Sequence, residues 1–141
     1  MFHLTLVSQS GIKYDADVSE VMLPTMDGQI GVLTDHMPLI SVTKPGVISI
    51  RRQPHDTERE MDHFATYGGV LEFEHNNLVV VVDEADAAES INELEAQKAY
   101  DAAQRMKAEA KDQLSLERAQ ALVDRHAVRL QVATIRRHHY H

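Results

Sequence analysis

The feature that most constrains the fold is where the helix-breaking residues stop. All 6 glycines lie between Gly11 and Gly69, all 4 prolines lie between Pro24 and Pro54, and neither type occurs after Gly69 in a chain of 141 residues. Glycine and proline mark turns and interrupt helices. The distribution therefore predicts a turn-rich front followed by a helical back, with the boundary near 87–90.

Five short runs in the front have the length and the β-branched or alternating pattern of strands. They are FHLTLVS, DVSEVMLP, GVISIRR, GGVLEFE and LVVVVDE. Because 78–82 is apolar at every position, the pattern predicts a strand buried on both faces. Short strands this close together indicate a sandwich or a barrel.

Three turn signals separate these runs. Asp27-Gly28 is a two-residue hairpin signal, and Pro45-Gly46 is a good turn pair. Asn76 or Asn77 suits the turn of the last hairpin, because asparagine adopts the left-handed conformation readily.

The back has the pattern of amphipathic helix. Ser90 followed by Glu93 is a capping-box signature for a first helix, and either Asp112 or Ser115 is the candidate cap of a second. Two stripes of small and apolar residues recur at helical spacing. The first is Ala96, Ala99, Ala103, Met106 and Ala110, and the second is Leu116, Ala119, Val123, Ala127 and Leu130. A single long helix would leave both stripes exposed, so a hairpin or a partner is required.

Composition excludes several classes of protein. The formal net charge is -8, which argues against nucleic-acid binding, and the absence of cysteine excludes disulfides and thiolate sites. No run approaches the roughly 18 apolar residues of a membrane span. The start, MFHLTLVSQSG, lacks the features of a signal peptide. A cytoplasmic location fits these observations.

We expect no catalytic, metal or cofactor site. His36 is the obvious candidate base, but Asp35 beside it would point away on a strand, and no nucleophile pattern accompanies the pair. The HHYH run at 138–141 is a lone terminal cluster, without the spacing of a metal site elsewhere. Gly28 and Gly31 do not match a nucleotide-binding fingerprint.

Two stretches carry a family resemblance. DGQIGVLTDHMPLISVTKPGVISI resembles the signature region of the epsilon subunit of the F-type proton-translocating ATP synthase, and ATYGGVLEFEHNNLVVVVDEADAAE resembles that family's Gly-Gly hairpin. The likeness covers essentially the whole chain. It implies an α+β fold, in which an antiparallel β-sandwich of about ten strands at 1–87 precedes a two-helix hairpin at 88–141.

The resemblance also implies a function and partners. Such a subunit is non-catalytic and sits on the central stalk, where it binds the gamma (γ) subunit and touches the ring of c subunits. It helps to couple proton flow to ATP synthesis. Its helical tail reaches into the alpha/beta catalytic head and inhibits ATP hydrolysis. The implied location is peripheral, on the cytoplasmic face of a bacterial plasma membrane.

Three groups of site residues follow from the resemblance. The γ-facing group is Ser8, His36 and Ser41. The c-ring contact is the turn of Met26, Asp27, Gly28 and Gln29, in which Asp27 takes the place of an acidic residue that many members carry where this chain has Gln29. The inhibitory group is Arg118, Arg125, Arg129 and Arg136, whose spacing places them within roughly 40° on a helix.

The ATP-binding motif of some members is degenerate in this chain. Where they resemble Ile/Leu-Asp-x-x-Arg-Ala, this chain has Asn92 in place of the acid and Glu95 in place of the base. A carboxylate repels phosphate, so we expect weak or no ATP binding and no bound cofactor.

Two other functions remain open from the residues alone. A free-standing sandwich that binds a small molecule or a metal, such as a cupin, needs several histidines and a carboxylate in one barrel, whereas His36, His63 and His75 follow no such motif. An isolated interaction module on a helical hairpin is the third alternative.

Overall fold

The structure, a computed structural model, describes the backbone of residues 1–140 and the side chains of residues 1–135. Eight strands precede two helices in these residues, which confirms the expected sandwich with a two-helix tail. The strands are β1 Phe2–Ser8, β2 Gly11–Val18, β3 Glu20–Thr25, β4 Gly28–Leu33, β5 Leu39–Arg51, β6 Asp62–Glu74, β7 Asn77–Val82 and β8 Ala85–Ala87. The helices are α1 Glu93–Glu109 and α2 Gln113–Tyr140.

The strands form one hydrogen-bonded path in the order β2-β1-β7-β6-β5-β3-β4, and β8 pairs with β6. The pairs are antiparallel except for β1 and β7, which run parallel. A parallel pair needs a long connection between its strands, and here β2 to β6 supply it.

The two long strands, β5 and β6, each serve both layers of the sandwich. In β5, Leu39 and Thr43 face the core before Gly46, but Ile48 and Ile50 face it afterwards. In β6, likewise, the side chains that face the core alternate in one phase before Gly68-Gly69 and in the opposite phase after it. Strands that switch layers at a bend are a known way to build a sandwich corner.

The layer switch accounts for the strand count. One layer contains β2, β1, β7, the second half of β6 and the first half of β5. The other contains β8, the first half of β6, the second half of β5, β3 and β4. Ten segments therefore arise from eight strands, in keeping with the expectation of about ten.

The prediction of a turn at Pro45-Gly46 is wrong. Both residues lie inside β5, where they pair with Tyr67 and Thr66 of β6. The chain bends at this point without reversing direction, since the ladder with β6 continues in the same register on both sides. Thr66 Oγ1 also donates to the carbonyl of Gly46 at 3.0 Å.

The prediction that β7 is buried on both faces is also wrong. Leu78, Val80 and Val82 are buried in the core, whereas Val79 and Val81 remain 40% and 46% exposed. An apolar run marks the strand correctly, but it does not show whether anything within the chain covers the second face.

The tight turns lie close to the predicted positions. His75 and Asn76, with φ of 53° and 58°, connect β6 to β7, so Asn76 rather than Asn77 takes the left-handed conformation. The β3–β4 reversal is formed by Met26 and Asp27, and Gly28 follows it as the first residue of β4 with a φ of 115°.

The helix caps differ from the prediction at one end. Asn92, not Ser90, caps α1, because its side chain accepts the Glu95 N–H at 3.0 Å. Ser90 instead donates to the carbonyl of Ala87 in a short 3₁₀ turn before the helix. Asp112 caps α2 by accepting the Ser115 N–H at 2.7 Å, as one of the two alternatives predicted.

Helix α2 lies between α1 and the sandwich. On its sandwich side, Val128, Val132 and Ala133 form a second apolar cluster with Ala65 of β6 and Ala96 of α1. The predicted stripes are therefore only partly right. Ala96, Ala103, Ala119 and Val123 are buried, but Met106, Leu116 and Ala127 are exposed.

Replacing Gly69 should test the packing at the corner. A Cβ at this position would lie 2.0 Å from the carbonyl oxygen of Val81, so Gly69→Ala must push β7 away from β6. We expect the free energy of unfolding to fall by roughly 3 kcal/mol, as measured by urea denaturation. Gly31→Ala is the matched control, since a Cβ there meets nothing within 4 Å; equal losses in both variants would contradict this account.

Candidate interaction surfaces

An apolar row crosses the outer face of the first layer. Val42 pairs with Val70, Val70 with Val81, Val81 with Val7, and Val7 with Ile12. Directly paired residues point to the same side of a sheet, so the five side chains line up across five strands. Val7 is half-buried, and the exposed fractions of the others lie between 46% and 63%.

A second row beside it extends the apolar surface. Ile40 is 77% exposed and pairs with Glu72, and Glu72 pairs with Val79. Isolated apolar side chains on a surface are ordinary, but a contiguous group across several strands marks an interaction site. We call the set Ile40, Val42, Val70, Val79 and Val81, together with Val7 and Ile12, the apolar sheet face.

The loop before β5 is fastened to the β6–β7 turn at one edge of this face. The Asp35 N–H donates to Asn76 Oδ1 at 2.7 Å, and the Asn76 amide donates to Asp35 Oδ1 at 2.9 Å. The His3 N–H donates to the carbonyl of Asn76 as well. Asn76 therefore joins three segments, and it holds Asp35 at a φ of 66°.

His36 packs inward from this loop. Its ring lies 5.8 Å from that of Phe73 in an edge-to-face arrangement, and its Nδ1 lies 2.7 Å from the carbonyl of Met37. No carboxylate contact of the His36 ring appears among the described residues. The geometry suits a residue that supports the loop and leaves Met37 71% exposed.

The three residues expected to face γ do not form one patch. Ser41 is half-buried and pairs with Leu71, so it points to the opposite side from Ile40 and Val42. Ser8 is buried at the end of β1, three strands away from β5, and bonds to the Ser10 hydroxyl. The exposed apolar side chains lie next to these polar residues in sequence, and sequence reasoning missed them.

The residues expected to touch the c ring form an exposed hairpin tip. Met26, Asp27 and Gln29 are exposed, and Gly28 is half-buried. Thr25 stabilises the turn, because its hydroxyl donates to the Gly28 carbonyl at 2.5 Å and accepts the Asp27 N–H at 3.3 Å. The tip presents the apolar side chain of Met26 next to the negative side chain of Asp27.

Two of the four arginines are directed at the sandwich. The Arg125 guanidinium lies 4.3 Å from the centroid of the Tyr67 ring, and Arg129 Nε lies 4.0 Å from Asp86 Oδ2. Arg118 is exposed, and the side chain of Arg136 lies outside the described residues.

The pKa values of Tyr67 and His126 are shifted where α2 meets the sandwich. Burial, followed by the hydrogen bond to Asp86, raises the pKa of Tyr67. Burial, followed by the positive charges of Arg129 and Arg125, lowers the pKa of His126. Tyr67 therefore stays a neutral donor at neutral pH, and the lowered pKa of His126 favours its uncharged form beside the two arginines.

A cleft of about 460 Å³ lies between α2 and the sandwich. Arg118 and Arg125 line it together with Asp83 and Asp124. The two carboxylates would repel a polyphosphate and so offset the attraction of the guanidinium groups. At the start of α1, Asn92 Oδ1 already accepts the Glu95 N–H, so that amide is not available to an anion.

Metal ligands do not cluster in the part of the chain that is described. No group of three or more His, Asp or Glu side chains there could hold a metal ion. His63 Nδ1 lies 2.9 Å from the Ser49 hydroxyl, and His75 is exposed in its turn. Nor is any described helix both long enough and apolar enough to cross a membrane.

Comparison with known proteins gives the family. Residues 1–88 match the profile of the ATP synthase Delta/Epsilon chain β-sandwich domain. The chain belongs to this family. The chloroplastic ATP synthase epsilon chain of Adiantum capillus-veneris is 32% identical over 132 residues, which cover 94% of this chain and 96% of the relative. The ATP synthase epsilon chain of Latilactobacillus sakei subsp. sakei is 33% identical over 132 residues, covering 92% and 90%.

Solved structures share the fold. A chain of the Euglena gracilis mitochondrial ATP synthase, from a structure containing OSCP, F1 and the c-ring, matches with a TM-score of 0.79 at 21% identity. The match covers 93% of this chain and 79% of that one. A chain from the central stalk and c-ring of Tetrahymena thermophila mitochondrial ATP synthase gives a TM-score of 0.60 at 14% identity, covering 91% and 95%.

The Asp35–Asn76 contact should control the order of the loop before β5. Asn76→Gly keeps the left-handed turn but removes both side-chain hydrogen bonds, so the Asp35 amide should exchange faster with solvent and stability should fall by about 1 kcal/mol. Hydrogen exchange followed by NMR measures the first effect. His75→Gly, in the same turn and also at positive φ, should leave the Asp35 amide protected. Equal exchange in the two variants would show that the turn alone orders the loop.

Proposed function

We propose that this chain is the epsilon subunit of an F-type ATP synthase, a non-catalytic part of the central stalk that helps to couple proton flow to ATP synthesis. The apolar sheet face is the observation that carries the proposal. Relatives along nearly the whole length are epsilon chains, and a stalk subunit needs a surface that docks on another protein.

The shape of the apolar sheet face favours a protein partner over a small ligand. Five strands at about 4.8 Å spacing make the row about 19 Å wide, and its side chains point outward from a sheet. Small-molecule sites are concave and enclose the ligand. This argues against the cupin-like alternative and supports a protein partner, which we propose to be γ, with the His36 loop at the edge of the contact.

The hairpin tip is the proposed contact with the c ring. Met26, Asp27 and Gln29 project from a tight turn fastened by Thr25. An exposed methionine and a carboxylate suit a polar loop with a few apolar side chains. The implied location is peripheral, on the face of the membrane that carries the catalytic head, which in a bacterium is the cytoplasmic face.

The tail is the proposed inhibitor of ATP hydrolysis. Arg118, Arg125 and Arg129 lie along one side of α2, and arginine pairs with carboxylates through two parallel hydrogen bonds. An acidic segment of the catalytic head is the chemical partner that such a helix face requires. Binding of ATP to the chain is expected to be weak or absent, because carboxylates share the cleft and Glu95 replaces the base.

A charge on the apolar sheet face should prevent docking. Val81 is 46% exposed, so the Val81→Lys variant should fold normally. In the complex with γ, however, the lysine ammonium group would lose its hydration. We expect the affinity for γ to fall by about 30-fold or more, equivalent to about 2 kcal/mol, measured by surface plasmon resonance on the purified subunits.

The control is the same change elsewhere on the sandwich. Leu33 is 54% exposed on the edge strand β4 and pairs with Glu20, beside Arg51 at the other end of β5. Leu33→Lys should leave the affinity for γ unchanged. If both variants bind γ as the native chain does, the apolar sheet face is not the docking surface.

Removing the second helix should release hydrolysis. We expect deletion of residues 113–141 to leave assembly and ATP synthesis largely intact and to raise ATP hydrolysis by the membrane-bound complex. Arg118→Glu should give part of this effect, since Arg118 is exposed and a carboxylate would be repelled by an acidic partner. Lys111→Glu, a charge reversal in the turn between the helices, is the control. Unchanged hydrolysis after both the deletion and Arg118→Glu would refute an inhibitory tail.

A further inference from the structure

A histidine lies between two carboxylates on the same side of the sheet as the apolar sheet face. His3 and Val7 are four residues apart on β1, so both side chains point outward. His3 Nε2 lies 2.5 Å from Asp15 Oδ1, and His3 Nδ1 lies 2.8 Å from Asp17 Oδ1. We call His3, Asp15 and Asp17 the histidine bridge.

The histidine bridge contains a protonated ring. An ionised carboxylate can only accept hydrogen bonds, and a neutral imidazole carries a single N–H. Because both ring nitrogens contact carboxylate oxygens, the ring is an imidazolium that donates from both sides. The hydrogen bonds to Asp17 and Asp15 accordingly raise the pKa of His3. The three side chains are 39%, 53% and 73% exposed, so another protein can reach them.

The sheet register makes the histidine bridge continuous with the apolar sheet face. Asp15 pairs with Thr5, and Thr5 pairs with Val79, which belongs to that face. Strands about 4.8 Å apart place Asp15 about 10 Å from Val79. A protein interface of ordinary size covers about 800 Å² on each partner. A protein that docks on the valine row therefore reaches the bridge as well.

The groups that surround His3 on this side are mostly acidic. Of the two strands beside β1, β2 contributes the two aspartates, and β7 contributes the neutral Asn77, which pairs with His3. One strand further on, Glu74 pairs with Asn77 and lies 3.7 Å from the ring of His75. Four carboxylates thus share this side of the sheet with His3, namely Asp15, Asp17, Glu72 and Glu74. A partner that complements them carries lysine or arginine beside an apolar centre.

We propose that docking of γ on the apolar sheet face releases a proton from His3. A basic side chain of γ takes the place of the imidazolium between Asp15 and Asp17, and the ring passes its proton to the solvent and remains as neutral imidazole. One positive charge replaces another, so the two carboxylates stay paired in the complex. The inference rests on the docking of γ proposed above, and it names the chemistry that the facing surface of γ must have.

The affinity for γ should depend on pH in one direction. In the free chain the two aspartates hold the pKa of His3 above its ordinary value, whereas a cation from γ in the complex would lower it. Docking releases a proton at pH values between these two pKa values. The affinity should therefore increase as the pH rises through this window and level off above the pKa of the free chain.

Calorimetry counts the released protons. The full-length chain is titrated with purified γ at several pH values, each in two buffers of different ionisation enthalpy. We expect a release that approaches about one proton per complex, and a dissociation constant that falls by up to about tenfold per pH unit within the window. His3→Gln keeps an N–H donor but does not titrate, so this variant should lose both effects.

The matched control is a histidine beside a carboxylate elsewhere on the sandwich. His55 lies 3.9 Å from Asp56 in the loop between β5 and β6, and its side chain is 82% exposed. His55→Gln should release as many protons on binding γ as the native chain does.

A double variant separates pairing with a cation from simple burial of the bridge. Asp15→Asn with Asp17→Asn removes both charges and keeps the shapes of the side chains. If basic groups of γ pair with the aspartates, the double variant should bind γ about tenfold more weakly. If γ only buries the bridge, the neutral amides cost less to desolvate, and binding as tight as that of the native chain, or tighter, would overturn the exchange.

The outcomes distinguish this inference from the function on which it rests. Binding of γ without proton release, or with equal release from the native chain and His3→Gln, would overturn the role of His3 and leave the docking function intact. A native chain that does not bind γ at any pH would count against the proposed function itself, and the proton release would fall with it.

Discussion

The change of layer in β5 and β6 is the constraint on which the rest of the structure depends. In each strand, the positions that face the core alternate in one phase before the bend and in the opposite phase after it. The bends lie at Gly46 in β5 and at Gly68-Gly69 in β6. The second of these corners brings the backbones of β6 and β7 so close that Gly69 has no room for a Cβ. Two strands thus form both walls of one core, and the outer faces of the two layers become separate surfaces.

The outer faces of the two layers differ in what covers them. The tail covers the face around Val47, Ala65 and Tyr67 through an apolar cluster and through the contacts of Arg125 with Tyr67 and of Arg129 with Asp86. The face around Val42, Val70 and Val81 has no cover within the described chain. One sandwich can therefore hold its own helices on one side and a partner on the other, without competition between the two contacts.

The sequence predicts the class of fold well because glycine, proline and apolar periodicity are local signals. The strands β1 and β7, the helical tail and the Asp112 cap all follow from residues close together in the chain. The long strands do not, because nothing local distinguishes Pro45-Gly46 as a bend within β5 from the same pair as a reversal. Ser90 and Asn92 are both good caps, and only the preceding 3₁₀ turn places Asn92 at the helix start.

The candidate surfaces are harder to predict from the sequence than the fold, for a physical reason. An outward valine and an inward valine look alike in LVVVV, and the row from Val42 to Ile12 exists only once five strands are in register. The contacts of Arg125 and Arg129 likewise depend on β8 bringing Asp86 beside Tyr67. The family resemblance indicates which arginines to consider, but it does not show that two of them are engaged within the chain.

An uncovered apolar face has a consequence for the subunit before it meets a partner. A newly made chain exposes a flat strip of aliphatic side chains that would favour self-association. Residues 1–89 carry 15 acidic and 5 basic side chains, so two copies approaching each other through their sandwiches repel. The same negative charge attracts a partner that presents basic residues around an apolar centre. The excess of acidic side chains thus keeps the unassembled subunit from associating with itself. It favours assembly with a different chain instead.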